Sequence, residues 1–271
     1  MLATVLLWVS FSTSSPPTDN STLPLAKSLA VSFLNAYSAS DGRVIRYDQG
    51  GDTVSEGQAY GLLLAVAANE PARFASIWTW DKDNLQEPSG LFAYHWSNGA
   101  VVGTGAATDA DLDTAWALVL GATAFQQPAY LKDGLAVAKA ILANETVHSN
   151  GRLELVAGPW ARTAPYWVDP SYLSPEAMTA LATASGDHRW TELATNSQRL
   201  LYALEGAGST HSLPPDWAQL SPTGDIVASP APSGGLPVSY GLDAQRVPVW
   251  YSADCSASGR ALSAVEWPII K

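Results

Sequence analysis

The chain has 271 residues, 47% of them apolar and only 14% charged, so it can build a sizeable core and does not have the composition of a disordered polymer. Its formal net charge of −11 argues against nucleic acid or an anionic membrane as the partner, because both are held by basic patches. A single cysteine, Cys255, excludes an internal disulfide and a thiolate metal site, and His95, His148, His188 and His211 are scattered with no HExxH pair; neither a metal nor a cofactor is expected.

The first segment, 2–11, is apolar and runs into a Ser/Thr/Pro stretch that ends at Ser21. It is too short to span a bilayer. It resembles the core of a secretory signal, although no Lys or Arg follows Met1 and no small-x-small cleavage site is clean. The plain alternative is an apolar stretch packed on the domain. Residues 1–20 are therefore set apart as a signal or disordered segment, and 21–271 as one domain.

From there apolar residues recur at helical spacing, and alternation with period two is weak. Helices are expected over about 23–37, from Ser55 to near Asn69, from Pro71 to about Leu85, from Thr108, and after Pro128. A sixth starts near Ser174 and a seventh covers about 188–204. The stretch 205–239 is rich in Gly, Pro and Ser and reads as loop. An eighth helix starts around Asp243 and is limited by Pro248.

Polar segments open every second helix: Thr53-Val-Ser-Glu-Gly-Gln-Ala-Tyr-Gly61, Thr108-Asp-Ala-Asp-Leu-Asp113, the region of Ser171, and Tyr240-Gly-Leu-Asp-Ala-Gln-Arg246. Motif helices alternating with plain ones predict an all-α stack of hairpins, with the motif N-termini around one groove.

Each carboxylate has a plain reading beside the chemical one. Ser55 to Gln58 and Thr108 to Asp111 read as capping boxes, and a first-turn acid is favoured by the helix dipole. For Asp113 the dipole reading is preferred. For Glu56 and Asp109 the apolar surroundings argue for more, and Gly57 in the first turn suggests close approach of a ligand or backbone. The dipole favours the ionised form of Glu56, whereas a general acid must arrive protonated. Burial and a second carboxylate, for which Asp109 is the natural candidate, have to outweigh it. Asp243 with Arg246 is either a surface ion pair at i, i+3 or a base held ionised and oriented. Of the eleven tryptophans, Trp78, Trp116 and Trp190 read as core. Trp96, Trp160, Trp167 and Trp217 are placed in loops, where an aromatic face can stack on a pyranose ring.

Together these segments resemble glycoside hydrolase family 8, from about Ser21 to Trp250. The segment around Glu56 is similar to the family's general-acid motif, and Ala107 to Ala117 to its signature, whose first aspartate is Asp109. Asp169-Pro-Ser-Tyr172 resembles an NPSY motif with Asp in place of Asn, Pro215-Asp-Trp217 has a familiar look, and Gly241 to Pro248 resembles the segment that carries the base. The style is that of endoglucanases accompanying bacterial cellulose synthesis.

The resemblance implies an (α/α)6 barrel and inverting hydrolysis of β-1,4-glucan. Glu56 is then the acid, Asp243 the base and Asp109 a sugar contact that distorts the ring, with the acid and base carboxyls about 6.5–9.5 Å apart. Trp96, Trp160, Tyr172 and Arg246 are the expected substrate contacts. The implied setting is a secreted or periplasmic monomer, associated with a cellulose-synthesis complex. Leu242 and Thr114 depart from the family pattern. Against six hairpins the chain supplies about four and a stub, so the expected barrel is incomplete at its C-terminal side. The alternatives are a chitosanase or xylanase of the same family, a non-catalytic glycan-binding relative, and a helical scaffold for a protein partner.

Overall fold

The structure, a computed structural model, describes residues 22–205, 213–234 and 237–253, with Arg260, Ala261 and Ala264. The apolar run 2–11, His211 and Cys255 lie outside the described residues. The helices are α1 (Thr22–Tyr37), α2 (Ser55–Ala68), α3 (Pro71–Asn84), α4 (Thr108–Ala124), α5 (Pro128–Asn144), α6 (Pro175–Ser185), α7 (Arg189–Glu205) and α8 (Val247–Ala253). Prolines at the first turns of α3, α5 and α6 start those helices with a fixed φ and no donor to lose.

The alternation read from the sequence is physical. Helices α2, α4, α6 and α8 pack in succession, α2 on α4, α4 on α6 and α6 on α8, while α3, α5 and α7 each pack back on the helix before them. The inner helices are apolar around most of their circumference. In α4 every residue from Thr108 to Ala115 is buried, as expected of a helix enclosed on all sides. The outer α7 keeps a polar face and buries Trp190, Leu193, Leu200 and Leu201. Gly134 lets α5 approach α4 closely, since a Cβ there would lie 3.0 Å from the Ala115 carbonyl oxygen. Phe74, Ile77, Trp78, Leu112, Leu118, Ile141 and Trp190 belong to one continuous core between the layers.

Short strands, which the sequence reading missed, fill the connections at one end. They form three antiparallel sheets: β1 (Thr53–Val54), β2 (His95–Ser97) and β3 (Ala100–Gly103); β4 (Thr146–Ser149) and β5 (Arg152–Leu155); β6 (Tyr166–Val168), β7 (Ala218–Leu220) and β8 (Ile226–Ala228). None exceeds four residues, too short for an alternation signal to rise above the helical pattern. The stretch 205–239 is thus not all loop, and Trp96 and Trp167 sit on strands, not in loops.

The two expected capping boxes are absent. The N-caps of α2 and α4 are Val54 and Ala107, with no side-chain cap. Gln58 accepts the Val44 N–H at 2.5 Å and donates to Gly42 and Ile77 carbonyls. Thr108 donates to the Val156 carbonyl at 2.6 Å and Asp111 accepts the Phe92 N–H at 2.9 Å. Tertiary partners took these side chains because the helix mouths are buried, where every polar atom needs a partner. Gly57 faces only ordinary contacts, 3.7 Å to Val54 and 3.9 Å to Val44, so no backbone segment approaches it closely.

Candidate active site

Four inner-helix mouths meet at one guanidinium. Arg246, in the turn Ala244–Arg246 before α8, donates through Nη1 to Glu56 Oε1 at the start of α2. The same nitrogen reaches Asp109 Oδ2 at the start of α4, at 3.0 Å. Nη2 donates to Ser171 Oγ, ahead of α6, at 2.8 Å and to Asp243 Oδ1 at 3.2 Å. The Tyr60 hydroxyl donates to Glu56 at 3.0 Å and accepts from Arg246 at 3.0 Å. Ser171 is held in turn by Asp169, whose Oδ1 accepts both its N–H (2.8 Å) and its hydroxyl (2.7 Å). Neither expectation for Arg246 was complete. It pairs with Asp243 at i, i+3, yet it is largely buried and also bonds carboxylates on two other helices.

The site is crowded with carboxyl groups in a poorly solvated space. Burial first, then the charge of Glu56, pushes Asp109 up to about 6, with Arg246 pulling the other way. Burial raises Asp243, against Arg246 and helped by the Asp216 and Glu56 charges. Asp113 is not the solvated first-turn acid that a dipole reading supposes. It is buried one turn below Asp109, and burial, then the Asp109 charge, holds its carboxyl well above the usual range.

Behind Asp109 lies a second buried group, Asp81, Asp111 and Glu145, with no basic partner among the described residues. Glu145 is pushed up to about 8 by burial first, and neither of its carboxyl oxygens has a hydrogen-bond partner among the described residues. A carboxyl that titrates near 4.5 unfolded and near 8 folded binds more protons in the native state between those values. Native stability therefore falls as pH rises through that window, by up to about 1.4 kcal/mol per pH unit. Glu145→Gln mimics the protonated form. Its melting temperature is expected to decline less steeply than that of the wild type between pH 5 and pH 8. Parallel melting curves would show that Glu145 is already ionised.

An aromatic trough leads to the carboxylates. A cavity of about 460 Å³ is lined by Tyr94, Gly105, Trp160, Tyr172 and Trp217. A second of about 390 Å³ is lined by Asp216, Trp217, Gly241 and Asp243. Both are lined by Trp217, so they adjoin. Trp160 is 47% exposed and is anchored by its indole N–H on the Ala106 carbonyl at 3.2 Å. The Trp217 ring lies 6.2 Å from both Trp160 and Tyr172. Arg246 stands 5.6 Å over Tyr172, so that ring joins the trough to the charged cluster.

Of the expected substrate contacts, Trp160, Tyr172 and Arg246 are brought together. Trp96 is not. Its ring is covered by Arg43 at 4.7 Å and meets the edge of Trp80 at 5.5 Å. Tyr94, two residues earlier, lines the trough instead. Trp116 is only half-buried and lines a separate apolar groove with Phe33 and Trp250. Sequence reasoning missed Tyr60, Tyr94 and Asp216. Only Asp216 carried a signal, its place in the Pro215-Asp-Trp217 segment.

The family model for glycosyl hydrolases family 8 matches residues 2–266. The chain belongs to glycosyl hydrolase family 8. Among family 8 relatives it is 33% identical over 233 residues to a probable endoglucanase of Novacetimonas hansenii, covering 81% of this chain and 64% of that protein. It is 34% identical over 200 residues to an endoglucanase of Escherichia coli K12, covering 69% and 52%. The solved endo-beta-1,4-glucanase CMCax from Acetobacter xylinum superposes with a TM-score of 0.78 at 28% identity, over 88% of this chain and 75% of that one. The fold is accordingly the (α/α)6 barrel type of family 8 endoglucanases. The chain spans less than two thirds of the length of the N. hansenii and E. coli relatives.

Proposed function

We propose that the chain hydrolyses internal β-1,4-glycosidic bonds of a cellulose-like β-glucan with inversion at the anomeric carbon. The observation that carries this reading is the convergence of Glu56, Asp109 and Asp243, from three helix mouths, on Arg246 at the end of an aromatic trough. Trp160, Trp217 and Tyr172 offer flat faces for successive sugar rings. In this reading Glu56 protonates the departing glycosidic oxygen. Asp243 takes a proton from the water that attacks the opposite face of the ring. Asp109 hydrogen-bonds the sugar at the cleavage point. For Glu56 to donate, its contact with Arg246 must give way to the glycosidic oxygen, and Arg246 then retains Asp109 and Asp243. Glu56 and Asp243 bond different nitrogens of one guanidinium, and inversion requires the two carboxyls to stand about 6.5–9.5 Å apart with room for the attacking water.

A polymer of this kind does not enter a cell, so the proposal places the chain outside the cytoplasm, as a secreted or periplasmic monomer. No helix among the described residues is long and apolar enough to cross a membrane. The association with a cellulose-synthesis complex belongs to the same proposal. Proton NMR of cellopentaose cleavage tests the chemistry. The first product formed is expected to carry the α anomer, with mutarotation to β following. A β anomer first would replace inversion by retention. Binding to β-glucan without any cleavage would favour the non-catalytic glycan-binding reading.

A further inference from the structure

Asp243 occupies the N-cap position of the turn before α8, where an aspartate ordinarily turns its carboxylate back onto the backbone N–H groups that follow. It does not do so here. The cap comes from another loop. Asp216 Oδ1 accepts the Ala244 N–H at 2.9 Å and the Gly241 N–H at 2.9 Å, while Oδ2 accepts the Ser239 hydroxyl at 3.2 Å. The Asp216 N–H donates to the Ser239 carbonyl at 2.9 Å. These bonds bracket Asp243 on both sides and leave its own oxygens to Arg246 and the trough. Gly241 is fitted to this seat, since a Cβ there would fall 2.2 Å from Asp216 Oδ2. Pro214 and Pro215 restrict the backbone leading into Asp216.

We propose that Asp216 is the positioning residue for the base: it caps the Asp243 turn in place of Asp243, so that the Asp243 carboxylate stays free to activate water. The inference rests on the hydrolase reading for its catalytic part and on geometry alone for its structural part. Asp243 faces Arg246 on its own turn, Asp216, Glu56 on α2, and Asp169 and Tyr172 ahead of α6. Asp216 therefore acts twice, through its bonds and through its negative charge, which opposes ionisation of Asp243.

Three variants separate the two actions. Asp216→Ala removes both. It is expected to lower kcat about 10²-fold, the size of effect that follows when a reacting group is misplaced, with KM changed less than about threefold, and to speed hydrogen exchange at the Gly241 and Ala244 amides at least about tenfold. Asp216→Asn keeps an acceptor oxygen and loses the charge. It is expected to restore most of kcat and to move the acid limb of kcat/KM to lower pH, because Asp243 then ionises more readily. Gly241→Ala keeps the charge and disturbs the seat, so kcat falls and the acid limb does not move down. Wild-type kcat and wild-type amide exchange in Asp216→Ala would overturn the proposal, as would an Asp216→Asn chain no better than Asp216→Ala. If the wild type cleaves no glucan, the hydrolase reading fails by itself. The seat is then decided by the same amides and by carbon NMR titration of Asp243. A titration lowered in Asp216→Asn supports it and an unchanged one overturns it.

Discussion

Glu56→Gln is expected to lower kcat on carboxymethylcellulose by about 10²–10⁴-fold, the usual contribution of a positioned general acid, while KM changes little. The amide fills the same space and can still accept the Tyr60 hydroxyl and an Arg246 N–H, so the fold should be kept. On the proposed mechanism, what is lost is the proton that the leaving oxygen needs. The loss should shrink on a substrate with an acidic leaving group, such as a nitrophenyl cellobioside, because such a group departs without protonation. Reducing-end release and nitrophenol release, measured side by side, check this. A variant equally impaired on both substrates would mean that Glu56 contributes binding or charge instead of the proton.

Arg246→Leu is expected to cost about 3 kcal/mol of stability, at the lower end for removing one partner of a buried ion pair, and to reduce hydrolysis at least about 10²-fold. Most of the stability loss is assigned to Asp109, whose side chain is 9% exposed, since Glu56 and Asp243 are 39% and 43% exposed and can turn to water. The loss depends on pH with a definite sign. Asp109 titrates near 6 with Arg246 in place, against 3.8 as a free side chain, so the native state already prefers the proton between those values. Without the cation that preference extends to higher pH. The stability gap between variant and wild type should therefore widen as pH rises past 6 and narrow towards pH 5. Urea unfolding at pH 5 and pH 8 measures it, and a gap independent of pH would remove Asp109 as the cause. Arg246→Lys should recover part of the stability but little of the activity, because one ammonium cannot hold carboxylates on both sides of a planar fork.

The helices and their alternation were legible because helical periodicity is a local property repeated over three or four turns. The inner-ring helices showed it least as an amphipathic stripe, being enclosed on all sides. Their place was given away by the polar residues at their mouths. Glu56, Asp109 and Asp243 could be picked out for the same reason: a carboxylate at the start of an apolar helix is conspicuous in one dimension. The capping boxes were misread by that same local logic. Ser55, Gln58, Thr108 and Asp111 have capping types at capping spacing, but the buried mouths gave Gln58, Thr108 and Asp111 partners 14 to 48 residues away. Trp96 was misplaced because exposure of a ring depends on what covers it, here Arg43 and Trp80.

The sequence by itself determined a mostly helical chain of alternating hairpins, three carboxylates and an arginine at helix starts, an excess of aromatic rings, and the family these segments resemble. Each of those follows from short-range pattern, charge or composition. The tertiary structure alone decided that one guanidinium joins four helix mouths, that Asp109 and Asp243 titrate high, that Tyr94 and not Trp96 lines the trough, and that Asp216 caps the turn of Asp243. Those are matters of distance and burial between residues up to 190 positions apart, and no spacing in the chain encodes which of many polar groups will lose its water and need a particular partner.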